Sequence, residues 1–226
     1  MSVPTLSIII PVLNEVEQLP GVIEQLAPLR ARGAQLILVD GGSTDGTAAL
    51  PRVGLEWVES APGRARQMNA GAALARGEVL LFLHADTCLP ADADDQVARA
   101  LVDDRCLWGR FDVRIAGRPW MLPVVAFLMN QRSRLSAIAT GDQAIFVRRA
   151  TFETLGGFAE LPLMEDIELS TRLRRLSAPA CPRGPAITSG RRWERRGVWR
   201  TIWLMWRLRW AYWRGVPASR IAEAYR

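Results

Sequence analysis

The sequence predicts an α/β fold: a mostly parallel sheet flanked by helices, with an amphipathic helical extension at its C-terminal end. Three observations carry this. Leu6–Val12 (LSIIIPV), Gln35–Val39 (QLILV) and Val79–Leu83 (VLLFL) are near-continuous apolar runs, the pattern of strands buried on both faces. Leu19, Val22, Ile23, Leu26 and Leu29 fall at helical spacing between the first two runs, which makes a βαβ unit with a right-handed crossover. Within Gly197–Arg214, Trp199, Trp203, Trp206, Trp210 and Trp213 recur at intervals of four, three, four and three, which places all five on one helical face. Arg200, Arg207 and Arg214 repeat every seven residues and form a separate stripe.

Taken in order, Pro11 removes a backbone donor near the end of the first strand, where that is tolerated. The second strand runs into Asp40-Gly41-Gly42-Ser43-Thr44-Asp45-Gly46, whose glycines permit close backbone approach and whose Ser43 or Asp45 can cap the next helix. Leu55–Glu59 reads as a short third strand, and Pro62–Gly71 enters a helix running to about Arg76. Gly77–Thr87 is the fourth strand. Pro90–Val102 is a helix with Asp92, Asp94 and Asp95 in its first turn, where the helix dipole favours them. Trp108–Ala116 alternates as a strand, Pro119–Leu135 is helical or irregular, and Asp142–Val147 is a further strand. After a Gly156-Gly157-Phe158 turn, Glu165–Leu176 is a helix opened by three acids.

The chain has 226 residues with 49% apolar and 23% charged content, the composition of a globular protein large enough to bury a core. MSVPTLSIII carries no basic n-region or cleavage site, so no signal peptide is predicted. Trp120–Met129 is too short to span a bilayer. Cys88, Cys106 and Cys181 form no metal or disulfide pattern, and a reducing cytoplasm is expected. All 29 basic residues are arginine. Residues 1–182 hold 18 Arg against 21 acids, net −3; residues 183–226 hold 11 Arg against Glu194 and Glu223, net +9; together they give the overall +6. A basic tail on an acidic body points to an anionic partner.

Four acidic sites fall at strand ends or helix starts: Glu15, Asp40, Asp86 and the pair Glu165-Asp166. Alone, each reads as a cap or a solvated charge. Delivered repeatedly to one edge of a parallel sheet, they build a pocket for a metal and a polyhydroxyl or nucleotide ligand. The motifs SIIIPVLNE (7–15), LVDGGSTDGT (38–47), GRARQMNAG (63–71), LHAD (83–86) and GGF (156–158) with Glu165-Asp166 occur in that order. In this the chain resembles the family 2 glycosyltransferases of the GT-A (Rossmann-like) fold, over about residues 5–176. No GxxxxGK[ST] phosphate loop is present, which argues against an ordinary P-loop NTPase.

The resemblance implies a UDP-sugar donor, UDP-N-acetylglucosamine or UDP-glucose, and an inverting transfer assisted by Mg²⁺ or Mn²⁺. It places Asp40 on the uracil N–H, Pro11, Asn14 and Glu15 along the nucleoside, and Arg64 or Arg66 with Asn69 on the base and diphosphate. Asp86 would ligate the metal, and Asp166 would be the general base with Glu165 beside it. Where the family usually has the first acid of an Asp-x-Asp motif, this chain has His84. Imidazole suits Mn²⁺ better than Mg²⁺, and His84 is equally open to hydrogen bonding with ribose or phosphate, or to a structural role.

The chain is expected to divide into a GT-A glycosyltransferase domain, residues 1–190, and a basic, tryptophan-rich, helical C-terminal tail, residues 191–226. Ser189-Gly190-Arg191-Arg192-Trp193 stands where family members often carry Gln-x-x-Arg-Trp, which weakens a processive-polymerase reading. The short length and this tail resemble the small glycosyltransferases of arsenosugar biosynthesis, a subgroup that includes the selenosugar synthase of selenoneine biosynthesis. That implies selenophosphate as acceptor, with Arg191, Arg192, Arg132 or Arg134 to hold it. A polyprenyl phosphate or sugar hydroxyl at a membrane is the alternative acceptor, and a non-catalytic nucleotide-sugar-binding protein the alternative class. The tryptophan helix has three readings: packing on its own domain or a second subunit, lying on an anionic membrane, or, least favoured, binding nucleic acid.

Overall fold

The computed structural model describes residues 5–225; positions 1–4 and 226, the outer ends of the two predicted segments, lie outside them. The first half matches the sequence reading closely: β1 (Leu6–Val12), α1 (Leu19–Ala31), β2 (Gln35–Asp40), β3 (Glu56–Glu59), α2 (Arg64–Leu74) and β4 (Val79–Phe82). Every residue of β1 and β4 is buried, which is why neither shows polar alternation. Strands β3, β2, β1 and β4 lie side by side in parallel, with Asp40 opposite Glu59, Val12 opposite Asp40, and Ile9 opposite Phe82. Parallel pairing brings the carboxyl ends of all four to one edge.

The chain continues through β5 (Thr87–Cys88), α3 (Ala93–Ala100), β6 (Trp108–Gly109), β7 (Val113–Ala116), α4 (Leu122–Ser136), β8 (Phe146–Arg148), α5 (Arg149–Thr154), α6 (Glu165–Leu173), β9 (Ala186–Ser189), α7 (Arg191–Arg196), α8 (Val198–Trp213) and α9 (Ala218–Tyr225). The main sheet has the order β3-β2-β1-β4-β8-β6, with β8 antiparallel to both neighbours. A small second sheet, β5-β9-β7, stands beside it.

Alternate residues of the strands feed two core layers. Ile8, Ile10, Leu38 and Leu81 pack with Leu19, Leu26 and Leu29 of α1. Ile9, Val39, Leu80 and Phe82 pack with Met68 of α2 and Leu169 and Leu173 of α6. Cutting any of the fully buried aliphatics to alanine should cost about 2–5 kcal/mol. Helix α2 sits close on the sheet because Gly71 has no side chain: a Cβ there would lie 2.5 Å from Ile9 and 2.9 Å from Val39.

The second half departs from the sequence reading. The strand expected over Trp108–Ala116 is two strands in two sheets. Gly109 packs under the Phe146 ring, where a Cβ would collide, and Arg110, fully buried, pairs with Asp112 and turns the chain out of the first sheet. The strand expected over Asp142–Val147 begins only at Phe146. Ahead of it lies a 3₁₀ turn, Gly141–Gln143, closed by a capping box between Thr140 and Gln143. Helix α5 and strand β9 carry no prediction, while α7, α8 and α9 lie in the segment expected to be a helical tail. The tail does not stand away from the body: Leu208 of α8 and Ile221 of α9 form a cluster with Leu163 and Met164, just ahead of α6.

Candidate active site

At the carboxyl edge the turn after β1 and the loop after β2 are stitched together. Asn14 sits at φ 57°, a left-handed conformation that asparagine tolerates. Its N–H donates to Ser43 Oγ at 2.9 Å, and its Oδ1 accepts from the Thr44 N–H at 2.8 Å. Glu15 N–H donates to Thr47 Oγ1, and Val16 N–H to Asp45. Asp40 is buried and accepts from both the N–H and the hydroxyl of Ser43; a carboxylate retains further acceptor capacity beyond these. Behind the clasp, Gln67 of α2 donates to the carbonyls of Val12 and Val39, 2.8 Å each, tying together the ends of β1, which carries Pro11, and β2.

The neighbouring strand end delivers His84 and Asp86, and the Gly141–Gln143 turn brings Asp142 to them. His84, Asp86 and Asp142 each offer a ligand atom, all within 4.8 Å of one another. His84 Nδ1 lies 3.4 Å from Asp142. Its imidazole lies against Gly141, where any Cβ would fall on the ring. Burial works against the Asp142 charge, but His84, Arg192 and Arg64 outweigh it and hold the carboxyl below its ordinary value. Two carboxylates and one imidazole make a donor set that fits a divalent cation.

Helix α6 opens the far side. Asp166 is fixed by backbone donors, Gly141 N–H at 2.8 Å on one oxygen and Ile167 N–H at 2.7 Å on the other. Glu165 is buried 3.3 Å from Arg64. Burial pushes the Glu165 carboxyl up, Asp166 adds to that, and Arg64 opposes it. His84, Gly141, Glu165 and Asp166 line one small cleft with Met68, Phe82, Ile145 and Phe158. Burial pushes the Arg132 guanidinium down while Asp166 pulls it up; Nε and Nη2 of Arg132 are buried without a hydrogen-bond partner among the described residues.

The tail reaches this edge through β9. Thr188 pairs with Thr87, and Ser189 N–H donates to the Asp86 carbonyl. The Gly190 turn beyond it sets Arg191 near Glu15 and Arg192 near Asp142, close enough to bias both carboxyls. Burial pushes Glu15 above its ordinary value; Arg191 opposes this, while Asp86 and Asp45 reinforce it.

Of the residues singled out from the sequence, the structure gathers Asn14, Glu15, Asp40, Arg64, His84, Asp86, Arg132, Glu165, Asp166, Arg191 and Arg192 along this edge. Three are engaged in pairs of their own: Arg66 with Glu160 at 2.9 Å, Arg134 with Asp112, and Asn69, whose amide donates to and accepts from the backbone of Phe158. Asp142, Gly141 and Gln67 were not singled out. Reading Asp142 as the start of a strand hid it, and only the Gly-Asp pair at 141–142 could have signalled a turn.

Residues 7–155 match the sequence model of Glycosyl transferase family 2. A PGL/p-HBAD biosynthesis glycosyltransferase of Mycobacterium tuberculosis (strain ATCC 25177 / H37Ra) is 34% identical over 170 residues, covering 70% of this chain. Its counterpart in Mycobacterium bovis BCG matches equally. The chain spans 64% of the length of these relatives. Among solved structures, S. aureus TarS 1–349 in complex with UDP-GlcNAc superposes with a TM-score of 0.64 at 17% identity, over 82% of this chain and 58% of that one. The mannosyltransferase PcManGT of Pyrobaculum calidifontis, in complex with GDP-Man and Mn²⁺, does so with 0.64 at 22%, over 93% and 62%. The architecture is the GT-A fold.

Proposed function

The chain belongs to glycosyl transferase family 2, and on that premise we propose that it transfers a hexosyl group, with inversion, from a UDP-sugar to a small phosphate-type anion. The observation that carries the reading is Arg132, a half-buried side chain whose Nε and Nη2 are buried without a hydrogen-bond partner among the described residues, beside the fixed carboxylate of Asp166. Buried donors of a cation are costly to leave unpartnered, and an anion seated there would complete them.

In this reading residues 1–190 are the transferase domain and residues 191–226 its tail. Asp40 accepts from the uracil N–H, Glu15 from ribose hydroxyls, and Arg64 steadies the diphosphate. Pro11 lines the nucleoside. His84, Asp86 and Asp142 would hold a divalent cation, which when bound supplies positive charge against that of the departing diphosphate. Selenophosphate is the acceptor we favour, from the resemblance of the tail to the selenosugar-forming subgroup. It arrives as an anion and needs cationic placement more than proton removal. A carbon–selenium bond forms at the sugar's anomeric carbon as the bond to UDP breaks, and UDP leaves with the electron pair. Arg132 supplies the placement, with Arg191 and Arg192 at the rim. A hydroxyl acceptor would instead hand its proton to Asp166, with Glu165 beside it.

A polyprenyl phosphate is the second reading, favoured by the outward-facing tryptophans of α8. The test is UDP release from UDP-N-acetylglucosamine and UDP-glucose with Mg²⁺ or Mn²⁺, with and without each acceptor, and product identification by mass. Release dependent on selenophosphate, with a selenium-bearing sugar, supports the first reading. Release only with the lipid phosphate replaces it by the second, and UDP binding without turnover on either favours a non-catalytic protein.

A further inference from the structure

Helix α8 carries large apolar side chains both toward the body and toward solvent. Leu204, Met205 and Leu208 pack inward with α9 and with Leu163 and Met164. Trp199, Trp203, Trp206, Trp210 and Trp213 point outward and are 59–80% exposed. A tryptophan presents roughly 200 Å², so the five rings alone expose on the order of 700 Å², more than the largest apolar patch of a typical monomer. The neighbouring helix also exposes apolar side chains. α4 packs against the start of α8 through Val125, Ala126 and Met129, with Val198 and Ile202 opposite, and its Phe127 and Leu128 are more than half exposed, as is Trp120 just before it.

Charge decides what covers such a surface. Residues 197–214 contain no acid and four arginines, Arg200, Arg207, Arg209 and Arg214. The predicted arginine stripe abuts the tryptophans: Arg207 lies 4.9 Å from the Trp203 ring and Arg214 lies 5.1 Å from the Trp210 ring. A second copy joined by a two-fold axis would set like charges face to face, because such an interface is self-complementary. Indole rings flanked by guanidinium groups suit the zone between hydrocarbon and headgroups, with arginine on anionic phosphates. Among the described residues no helix is long and apolar enough to cross a membrane, so the contact would be with its surface.

We propose that the outward face of α8, with α4 beside it, docks on a bilayer surface bearing anionic headgroups. This is independent of the proposed transfer reaction, because the binding is read without turnover. The whole chain is sedimented with phosphatidylcholine vesicles, with or without phosphatidylglycerol, at low and high salt, and tryptophan emission is recorded. The expected result is pelleting and a blue shift with the anionic vesicles alone, weakened by salt. Replacing Arg200, Arg207 and Arg214 together by Gln should lower partitioning roughly 100-fold. Replacing Trp203, Trp206 and Trp210 together by Ser should abolish the blue shift on vesicle addition. Helical circular dichroism and UDP affinity should be unchanged in both variants. Failure to pellet with anionic vesicles at low salt overturns the proposal. So does equal binding to neutral vesicles, full binding by the arginine variant, or a dimer by light scattering whose formation shields the tryptophans.

Discussion

The two edges of the main sheet are both polar, but they differ in how that polarity is satisfied. The amino-terminal edge carries a hollow of about 640 Å³, lined by Arg30, Gln35, Glu56 and Arg76 among others. There Arg76 pairs with Glu56, Gln35 bridges Ser7 and Glu56, and Arg30 donates to the Val53 carbonyl. The carboxyl edge has the smaller cleft, yet Glu15, Asp86, Asp142, Glu165 and Asp166 crowd together there, two of them with raised pKa values, and Arg132 has unpartnered nitrogens. Unbalanced charge, rather than the size of a hollow, marks the place built for a ligand.

The largest expected effect that sharpens this contrast is Asp166→Asn, which should slow transfer to a hydroxyl acceptor by about 10²–10⁴-fold and transfer to selenophosphate far less. Acceptor-dependent UDP release measures both. Arg132→Gln should raise acceptor KM by about 30-fold or more, with UDP affinity unchanged. An unchanged KM would break the assignment of Arg132. Gly141→Ala should displace His84 from Asp142 and weaken Mn²⁺ binding about 10–100-fold, read by titration calorimetry.

Glu15→Gln tests the charge crowding through pH. The folded-state pKa of Glu15 lies above its ordinary value of 4.5. Its stabilising contribution is therefore complete below that value and is lost as pH rises through the folded-state pKa. Glu15→Gln should raise Tm relative to wild type at pH 7 and leave it level at pH 4. The smallest effect belongs to the balanced edge: Arg76→Ala breaks a surface ion pair, so it should cost less than about 1 kcal/mol by chemical denaturation and leave UDP affinity unchanged.

Legibility tracked how local each contact is. β1, β2 and β4 are marked by their own apolar runs, and parallel pairing then carries Glu15, Asp40 and Asp86 to a common edge without further information. Asp166 could be read because Glu165-Asp166 opens a helix in a recognisable motif. What escaped depends on partners distant in sequence. Asp142 meets His84 across 58 positions only because the chain turns at Gly141. Strand β9, four residues with weak alternation, escaped as well, and its pairing with the two-residue β5 is what brings Arg191 and Arg192, already singled out from the tail, to this edge. The five tryptophans were read correctly as one helical face, but periodicity cannot say whether a face is buried or left to solvent. Asn69 shows the opposite risk, since a polar residue inside a family motif is occupied by the backbone of Phe158.

The central claim is that the carboxyl edge binds a nucleotide diphosphate together with a divalent cation. Its most direct test is the affinity for UDP with and without Mn²⁺, measured by calorimetry on the wild type, Asp142→Asn and Asp86→Asn. The account predicts that Mn²⁺ tightens UDP binding at least tenfold in the wild type and that both variants lose this gain. UDP affinity indifferent to Mn²⁺ in the wild type, or a gain retained in both variants, would contradict it.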